Sequence, residues 1–211
     1  GGAGFIGSNI AQELSKKHRV VICDNLNNSI KKKNIALVKG KKTIKINEIF
    51  SFVEKHKKKI SAVIHMGAIS ATDETNLELL LNNNYLYSLK LFNICNKYNI
   101  KFIYASSAAT YGNSFDLYDD ENSFENFLKL KPINYYGLSK HLFDLHILSI
   151  IKSEEKLGSN PVGLKFFNVY GPNELHKGFM MSPIPKFLKE IQTTKKLKLF
   201  KSHHKKFAHG R

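Results

Sequence analysis

A glycine-rich opening of seven residues constrains this chain more than any other feature. Gly1, Gly4 and Gly7 stand three apart in Gly1-Gly-Ala-Gly4-Phe-Ile-Gly7. Glycine at such points permits a tight turn, lets the backbone approach a ligand closely, and allows the following helix to pack tightly. Ile6, Ile10 and Leu14 then recur at helical spacing, which predicts a helix over 5–17. Val20-Val-Ile-Cys23 reads as a buried parallel strand ending on Asp24. Asp24 lies 24 − 1 = 23 residues after Gly1, the distance at which a dinucleotide-binding unit carries the acid for a ribose hydroxyl. A helix N-terminus beside such a loop offers free N–H groups and partial positive charge to a pyrophosphate. A chance glycine-rich loop has the same local sequence, so the reading depends on the rest of the chain.

Beyond Asp24, strand and helix alternate. Residues 25–46 are polar and hard to assign, with a short strand near 43–46. A helix is predicted over Glu48 to Lys58, a strand over Ala62-Val-Ile-His65 and a long helix over 75–98. Lys101-Phe-Ile-Tyr-Ala105 is the next strand, and 113–131 reads as an acidic, aromatic loop. A helix is expected over 134–155 and a strand over Val162-Gly-Leu-Lys-Phe-Phe167. Each polar cluster comes after the C-terminal end of a strand, as in a doubly wound α/β fold with ligands at the carboxyl edge of its sheet. The fold class expected is therefore α/β, a Rossmann-like doubly wound parallel sheet. Residues 1–167 would form the dinucleotide-binding domain, and 168–211 the start of a small C-terminal substrate lobe. A dinucleotide-binding unit places a strand ahead of its glycine loop, yet here the loop comes first. The other end, His209-Gly-Arg211, is polar and has no closing element. The chain is accordingly read as a piece of a longer enzyme.

Composition excludes several alternatives. Hydrophobic residues make up 42% and charged residues 24%, as in a folded globular protein. No apolar run reaches membrane-spanning length, and no secretory signal opens the chain. Cys23 and Cys95 lie in apolar runs without metal or disulfide spacing, as buried reduced thiols of a cytoplasmic protein do. The net charge of +16 invites a nucleic-acid reading, but Arg19 and Arg211 are the only arginines. Lysine does not reproduce the fork with which arginine reads bases. A solvated lysine-rich surface, attractive to anionic ligands, is the reading adopted. The nine histidines are scattered, and no metal site is expected.

The chemistry lies further along. Tyr136-Gly-Leu-Ser-Lys140 places a tyrosine and a lysine one helical turn apart on one face. A cation nearby favours the phenolate and lowers the pKa of a tyrosine that is otherwise a poor base at neutral pH. Ser107, at the end of a strand in Ser106-Ser107-Ala-Ala-Thr-Tyr111-Gly, is placed to hydrogen-bond a reacting oxygen. Tyr-x-x-x-Lys alone is common on helix surfaces. Downstream of a glycine loop and a Ser-Ser strand end, it points to hydride chemistry on an alcohol or ketone, with Lys140 also reaching the nicotinamide ribose. Gly67-Ala68-Ile69-Ser70 comes after a strand and is expected to line the adenosine–pyrophosphate region. Asn83, on the long helix, either braces a neighbouring loop or the cofactor or lies on the helix surface. Asp24 favours NAD by repelling a 2′-phosphate, whereas Lys31 or Lys32 would offset that and hold the phosphate of NADP.

Together these segments resemble the extended short-chain dehydrogenases/reductases acting on nucleotide sugars. Tyr104-Ala-Ser-Ser-Ala-Ala-Thr-Tyr-Gly112, Tyr136-Gly-Leu-Ser-Lys-His-Leu-Phe-Asp144 and Phe167-Asn-Val-Tyr-Gly-Pro-Asn-Glu-Leu-His-Lys-Gly178 are similar to the ADP-L-glycero-D-manno-heptose 6-epimerases within them. The resemblance implies an isomerase that oxidises C6 of the heptose with NADP, or with NAD as the alternative, and returns the hydride to the other face. It implies a role in lipopolysaccharide inner-core synthesis. Tyr136 and Lys177 would be the two acid/base groups, with Ser107 and Lys140 assisting. The cofactor would meet Gly1, Gly4, Phe5, Ile6, Gly7, Asp24, Asn25, Lys31, Met66, Gly67, Ala68, Ser70, Asn83, Lys140, Val169 and Lys177. The substrate would meet Asn168, Phe179, Lys186, Phe200, Lys201, Ser202, His203 and Arg211, the last pairing with the diphosphate. Two positions depart from the family pattern: Met66 stands where glutamate is frequent, and Phe179 replaces a small polar residue. The expected partner is the ADP-heptose substrate, with neither nucleic acid nor membrane, in a homo-oligomer. Two other readings stay open. One is a sibling 4-epimerase or dehydratase, although Ala108-Ala109 stand where a dehydratase carries Asp-Glu. The other is a non-catalytic dinucleotide-binding protein, whose kind tends to lose the tyrosine or lysine kept here.

Overall fold

A computed structural model describes all residues except 114–120, 122, 154–155, 200, 203–204, 207 and 210–211. The strands are β1 (Val21–Cys23), β2 (Lys42–Ile44), β3 (Ala62–His65), β4 (Lys101–Ser107) and β5 (Val162–Phe166). All pairings between them are parallel. The helices between them are α1 (Phe5–Leu14), α2 (Ser29–Asn34), α3 (Ile49–His56), α4 (Leu77–Leu80), α5 (Tyr87–Lys97), α6 (Phe124–Lys129) and α7 (Tyr135–Lys152), followed by α8 (Pro183–Thr194). Parallel neighbours need a long crossover, and a helix supplies it at each step.

The parallel α/β architecture is the expected one, but the sheet lies in two parts. β1 pairs with β2, and β3-β4-β5 form a separate three-stranded sheet. Between the facing edges of β1 and β3 lies a slot of about 680 Å³, lined by Val21, Cys23 and Ala62 to His65. A doubly wound sheet with strand order 3-2-1-4-5-6 puts its first strand at this place. The backbones of Gly1 and Gly2 reach the rim of the slot and both donate to the Cys23 carbonyl, at 2.9 and 3.3 Å.

The main core lies between β4 and helices α5 and α7. Phe102 on β4 is fully buried and meets Phe92 of α5 edge-on at 5.7 Å and Phe143 of α7 at 6.3 Å. Tyr104 stands perpendicular to Phe143 at 4.8 Å. A smaller cluster of Ala3, Ala11, Ile22, Ile35 and Val38 packs α1 and α2 on β1. Both cysteines are free thiols. Burial pushes the Cys95 thiol up to about 12, which makes it inert.

Three local features differ from the periodicity-based expectation. First, α2 forms within the unassigned polar stretch because Asn28 caps it, its Oδ1 accepting from the N–H of Ile30 at 2.8 Å. Second, α6 forms where a loop was expected. Ser123 caps it, and Phe127 is buried against the α7 side of the core. Third, the long helix does not run evenly, because a π-helical turn spans Leu81–Leu86 between α4 and α5. The extra residue per turn rotates the later part of the helix, so Asn84 points inward at 1% exposure and Asn83 points to solvent. Among the described residues no helix is long and apolar enough to cross a membrane.

Phe102→Ala removes the ring on which His65, Phe92, Tyr104 and Phe143 pack, and the variant should lose about 3–5 kcal/mol in chemical denaturation.

Candidate active site

The site begins with how β4 ends. Ser107 closes the strand, and its Oγ accepts from the Ala109 N–H at 3.2 Å. The Thr110 hydroxyl donates to the Ser107 carbonyl at 2.8 Å, so the turn after the strand is fixed from both sides. α7 then starts against this turn. Asn134 caps it by accepting from the Gly137 N–H at 2.7 Å. A Cβ on Gly137 would lie 2.6 Å from the Ala109 carbonyl oxygen, so only glycine lets the helix approach so closely. That approach sets Tyr136 beside Ser107, whose side chain favours the ionised phenol.

The electrostatics differ from the expectation that Lys140 makes Tyr136 more acidic. Burial raises the Tyr136 pKa above its ordinary value, and the neighbouring Ser107 side chain opposes this only in part. Lys140 is itself buried and donates to the Ala105 carbonyl at 2.9 Å. Burial lowers its pKa to about 8, with the charge of Asp144 pulling the other way. Desolvation dominates both groups of the pair.

The glycine loop faces this pair across a cleft. A Cβ on Gly7 would lie 2.1 Å from the Gly1 carbonyl oxygen, and one on Gly1 would lie 2.3 Å from the Gly67 nitrogen. Packing of the chain on itself therefore requires both glycines. Gly4 is different. Its Cβ would meet Gly1 oxygen at 3.4 Å and the His176 ring at 3.9 Å, ordinary contacts. The bare backbone at Gly4 leaves room in the cleft at the mouth of α1, where N–H groups are free to bind an anion. Asp24 closes the far end. It accepts from the Ala3 N–H and from Lys31 Nζ, both at 2.9 Å. Burial works against its ionisation, whereas the Lys31 ammonium and the Ala3 N–H favour the charged carboxylate.

The segment carrying Lys177 is tied to the glycine loop by asparagines. Asn9 donates to the Pro172 carbonyl at 3.0 Å, and Asn173 to the Ser8 hydroxyl at 3.0 Å. Asn34 donates to the carbonyls of Ala3 and Asn173, each at 3.1 Å. The buried carboxylate of Glu174 accepts from the N–H groups of Gly171 and Ser182 and so shapes the loop. The result sets Lys177 Nζ 5.6 Å from the centre of the Phe5 ring.

One cleft of about 510 Å³ thus gathers Tyr136, Lys140, Ser107 and Lys177. Gly1, Gly4, Phe5, Ile6, Gly7, Asp24 and Lys31 line it, as do Met66, Gly67, Ala68, Ser70 and Val169. Asn25 and Asn83 line the slot between β1 and β3 instead. Asn83 donates to the Leu79 carbonyl on the helix surface. The loop-bracing role belongs to Asn84, which both accepts from the Ile69 N–H and donates to the Ile69 carbonyl, and also donates to Ser139. Asn168 and Phe179 are exposed, and Lys186 donates to the Phe179 carbonyl at 2.5 Å. Lys201 and Ser202 lie in the C-terminal segment, where the Ser202 N–H donates to His209. Phe200, His203 and Arg211 fall outside the described residues. Among the described residues no cluster of His, Cys, Asp or Glu suits a metal ion. The residues missed from sequence are Asn34, Asn84, Asn173 and Glu174. The last two sit inside the 167–178 segment, and their polar side chains beside a Gly-Pro turn were the available signal.

Comparison with known proteins agrees with this geometry. Residues 1–209 match the NAD dependent epimerase/dehydratase family. The chain is 39% identical over 208 residues to the ADP-L-glycero-D-manno-heptose-6-epimerase of Brachyspira hyodysenteriae, covering 95% of this chain and 63% of that protein. It spans, in other words, about 63% of the length of such a relative. The crystal structure of the Helicobacter pylori ADP-L-glycero-D-manno-heptose-6-epimerase superposes with a TM-score of 0.75 at 32% identity, over 95% of this chain and 64% of that one. The UDP-glucuronic acid 4-epimerase of Bacillus cereus, solved in complex with NAD, gives 0.67 at 25% identity, over 94% and 63%. With the glycine loop, the Tyr136–Lys140 helix and the parallel strands all in the family's order, the chain belongs to the NAD dependent epimerase/dehydratase family.

Proposed function

We propose that the whole protein inverts C6 of ADP-D-glycero-D-manno-heptose to give ADP-L-glycero-D-manno-heptose, by oxidation and reduction at the same carbon. The observation that carries this reading is that Tyr136 and Lys177, two proton-transfer groups from separate elements, face one cleft together with the glycine loop. The names of the relatives support the choice of sugar.

The residues fit a dinucleotide: Gly4 leaves a bare backbone at a helix N-terminus, and Asp24 stands where a ribose would lie. A bound nicotinamide supplies reversible hydride acceptance. Tyr136 and Lys177 exchange a proton with the C6 oxygen, one for each orientation of the sugar. In the oxidation the C6–H and O–H bonds break and a carbonyl forms. In the reduction, after the sugar turns, the C6–H bond re-forms on the opposite face of the carbonyl and the oxygen regains a proton, so no net redox change results. Ser107 holds the reacting oxygen and Lys140 holds the cofactor ribose. Because Lys31 neutralises Asp24, a 2′-phosphate meets no bare carboxylate, which favours NADP over NAD. Residues 1–167 serve as the dinucleotide-binding domain and 168–211 begin the substrate lobe, with Asn168, Phe179 and Lys186 on the substrate side. The protein works in the cytoplasm as a homo-oligomer, supplying heptose to lipopolysaccharide synthesis.

Incubating the whole protein with the D,D-substrate and following C6 by proton NMR tests the reading. Inversion without accumulation of reduced cofactor is expected, and Tyr136→Phe and Lys177→Met should each slow it by about 10²–10⁴-fold. Turnover of a UDP-hexose at C4, without inversion at C6, would make the protein a 4-epimerase instead. Gly4→Ala should weaken dinucleotide binding while leaving the unfolding midpoint in place, whereas Gly7→Ala should lower that midpoint. Lys31→Ala should weaken NADP roughly 10-fold more than NAD, about the effect of one charge-assisted hydrogen bond. Equal loss for both dinucleotides would show that Lys31 does not discriminate.

A further inference from the structure

Behind Tyr136 and Lys140 lies a buried charge cluster that the reaction above does not use. Asp144 comes one turn after Lys140 on α7, and both are buried. Asp144 Oδ2 accepts from the Ser106 hydroxyl at 2.5 Å and from Lys165 Nζ at 2.9 Å. Its Oδ1 accepts from the Tyr104 hydroxyl at 3.0 Å. Lys165, on β5, also donates to Thr110 Oγ1 at 2.5 Å, and Thr110 in turn donates to the Ser107 carbonyl. The Lys165 ammonium lies over the rings of Phe127 and Tyr111, at 4.6 and 5.0 Å. With Lys140 bonded to the Ala105 carbonyl, each residue from Tyr104 to Ser107 is tied to α7, β5 or the turn between.

Two ammonium groups and one carboxylate therefore share a site with little access to water. Buried charges persist only when paired and hydrogen-bonded. Lys165 is paired directly. Lys140 has a carbonyl at hydrogen-bonding distance, but its nearest formal counter-charge along the helix is Asp144. The other titratable groups facing the cluster carry no charge near neutral pH. Burial lowers His65 on β3 to about 3 and lowers His141 on α7. Burial also raises the Tyr104 phenol.

We propose that Asp144 is a positioning residue: it is the shared counter-charge that keeps Lys140 an ammonium ion and clamps the end of β4 that presents Ser107, with Lys165 setting how much of that charge Lys140 feels. The proposal rests on the reading of Lys140 and Ser107 as members of the reaction site, and it concerns residues that touch neither cofactor nor substrate.

The test is an NMR titration of the Lys140 side-chain ammonium in the whole protein, assigned by its loss in Lys140→Met. It needs neither dinucleotide nor sugar, so its outcome is independent of whether C6 inversion is found. The wild-type midpoint is expected near pH 8. Asp144→Asn should move it down by about one pH unit, the effect of removing an opposite charge at close range. Lys165→Met should move it up, because a like charge is removed and Asp144 is left to Lys140 alone. A merely structural role for Asp144 would lower the unfolding midpoint and leave the Lys140 titration where it was. A folded Asp144→Asn chain with an unchanged Lys140 midpoint overturns the proposal, as does a downward or absent shift in Lys165→Met. If Asp144→Asn does not fold, the direction read in Lys165→Met alone decides.

Discussion

At three places that build the cleft, backbone meets backbone where no side chain fits. Gly7 lies against the Gly1 carbonyl, Gly1 against Gly67, and Gly137 against the Ala109 carbonyl. The first two fold the opening loop onto itself and onto the end of β3. The third seats the first turn of α7 on the turn after β4. Everything in the cleft depends on these contacts, because they set the distance between the loop that offers N–H groups and the helix that carries Tyr136. A single methyl group at any of them moves one wall of the cleft relative to the other.

Charge is organised on two scales. Most of the 33 basic residues lie on exposed segments, where water screens them and their partners matter little. Lys140 and Lys165 differ in kind. They are buried to different degrees, share one carboxylate, and have their properties set by a few neighbours rather than by the +16 of the whole chain. Lys31 lies between these cases, half-exposed but fixed to the buried Asp24. A lysine-rich composition therefore says little about function here, whereas the positions of three lysines say a great deal.

The sequence made the strand ends legible because the parallel strands read as short apolar runs, and polar residues begin where the runs stop. Ala62–His65 was readable to the residue, and Ser107, Tyr136 and Lys140 fell where strand ends and helical spacing put them. Elements stabilised by one capping side chain were not legible. Asn28 and Ser123 each start a six-residue helix that has too few apolar positions to show a period. The π-helical turn was hidden for another reason: it changes the phase of a helix without changing its composition, so the bracing asparagine is Asn84 rather than Asn83. The acidity of Tyr136 was misjudged because spacing reports who is near whom and not how much water both have lost.

The asparagine links have a consequence for how the site holds its shape. The Lys177 segment is held to the glycine loop by side-chain amides, Asn9 to the Pro172 carbonyl, Asn34 to the Asn173 carbonyl and Asn173 to the Ser8 hydroxyl. Apolar packing is non-directional and tolerates sliding, whereas a hydrogen bond fixes both a distance and an angle. The two walls of the cleft that carry Lys177 and the free N–H groups are therefore kept in register by direction-sensitive contacts, and a side chain too short to span the gap breaks that register without touching the apolar core.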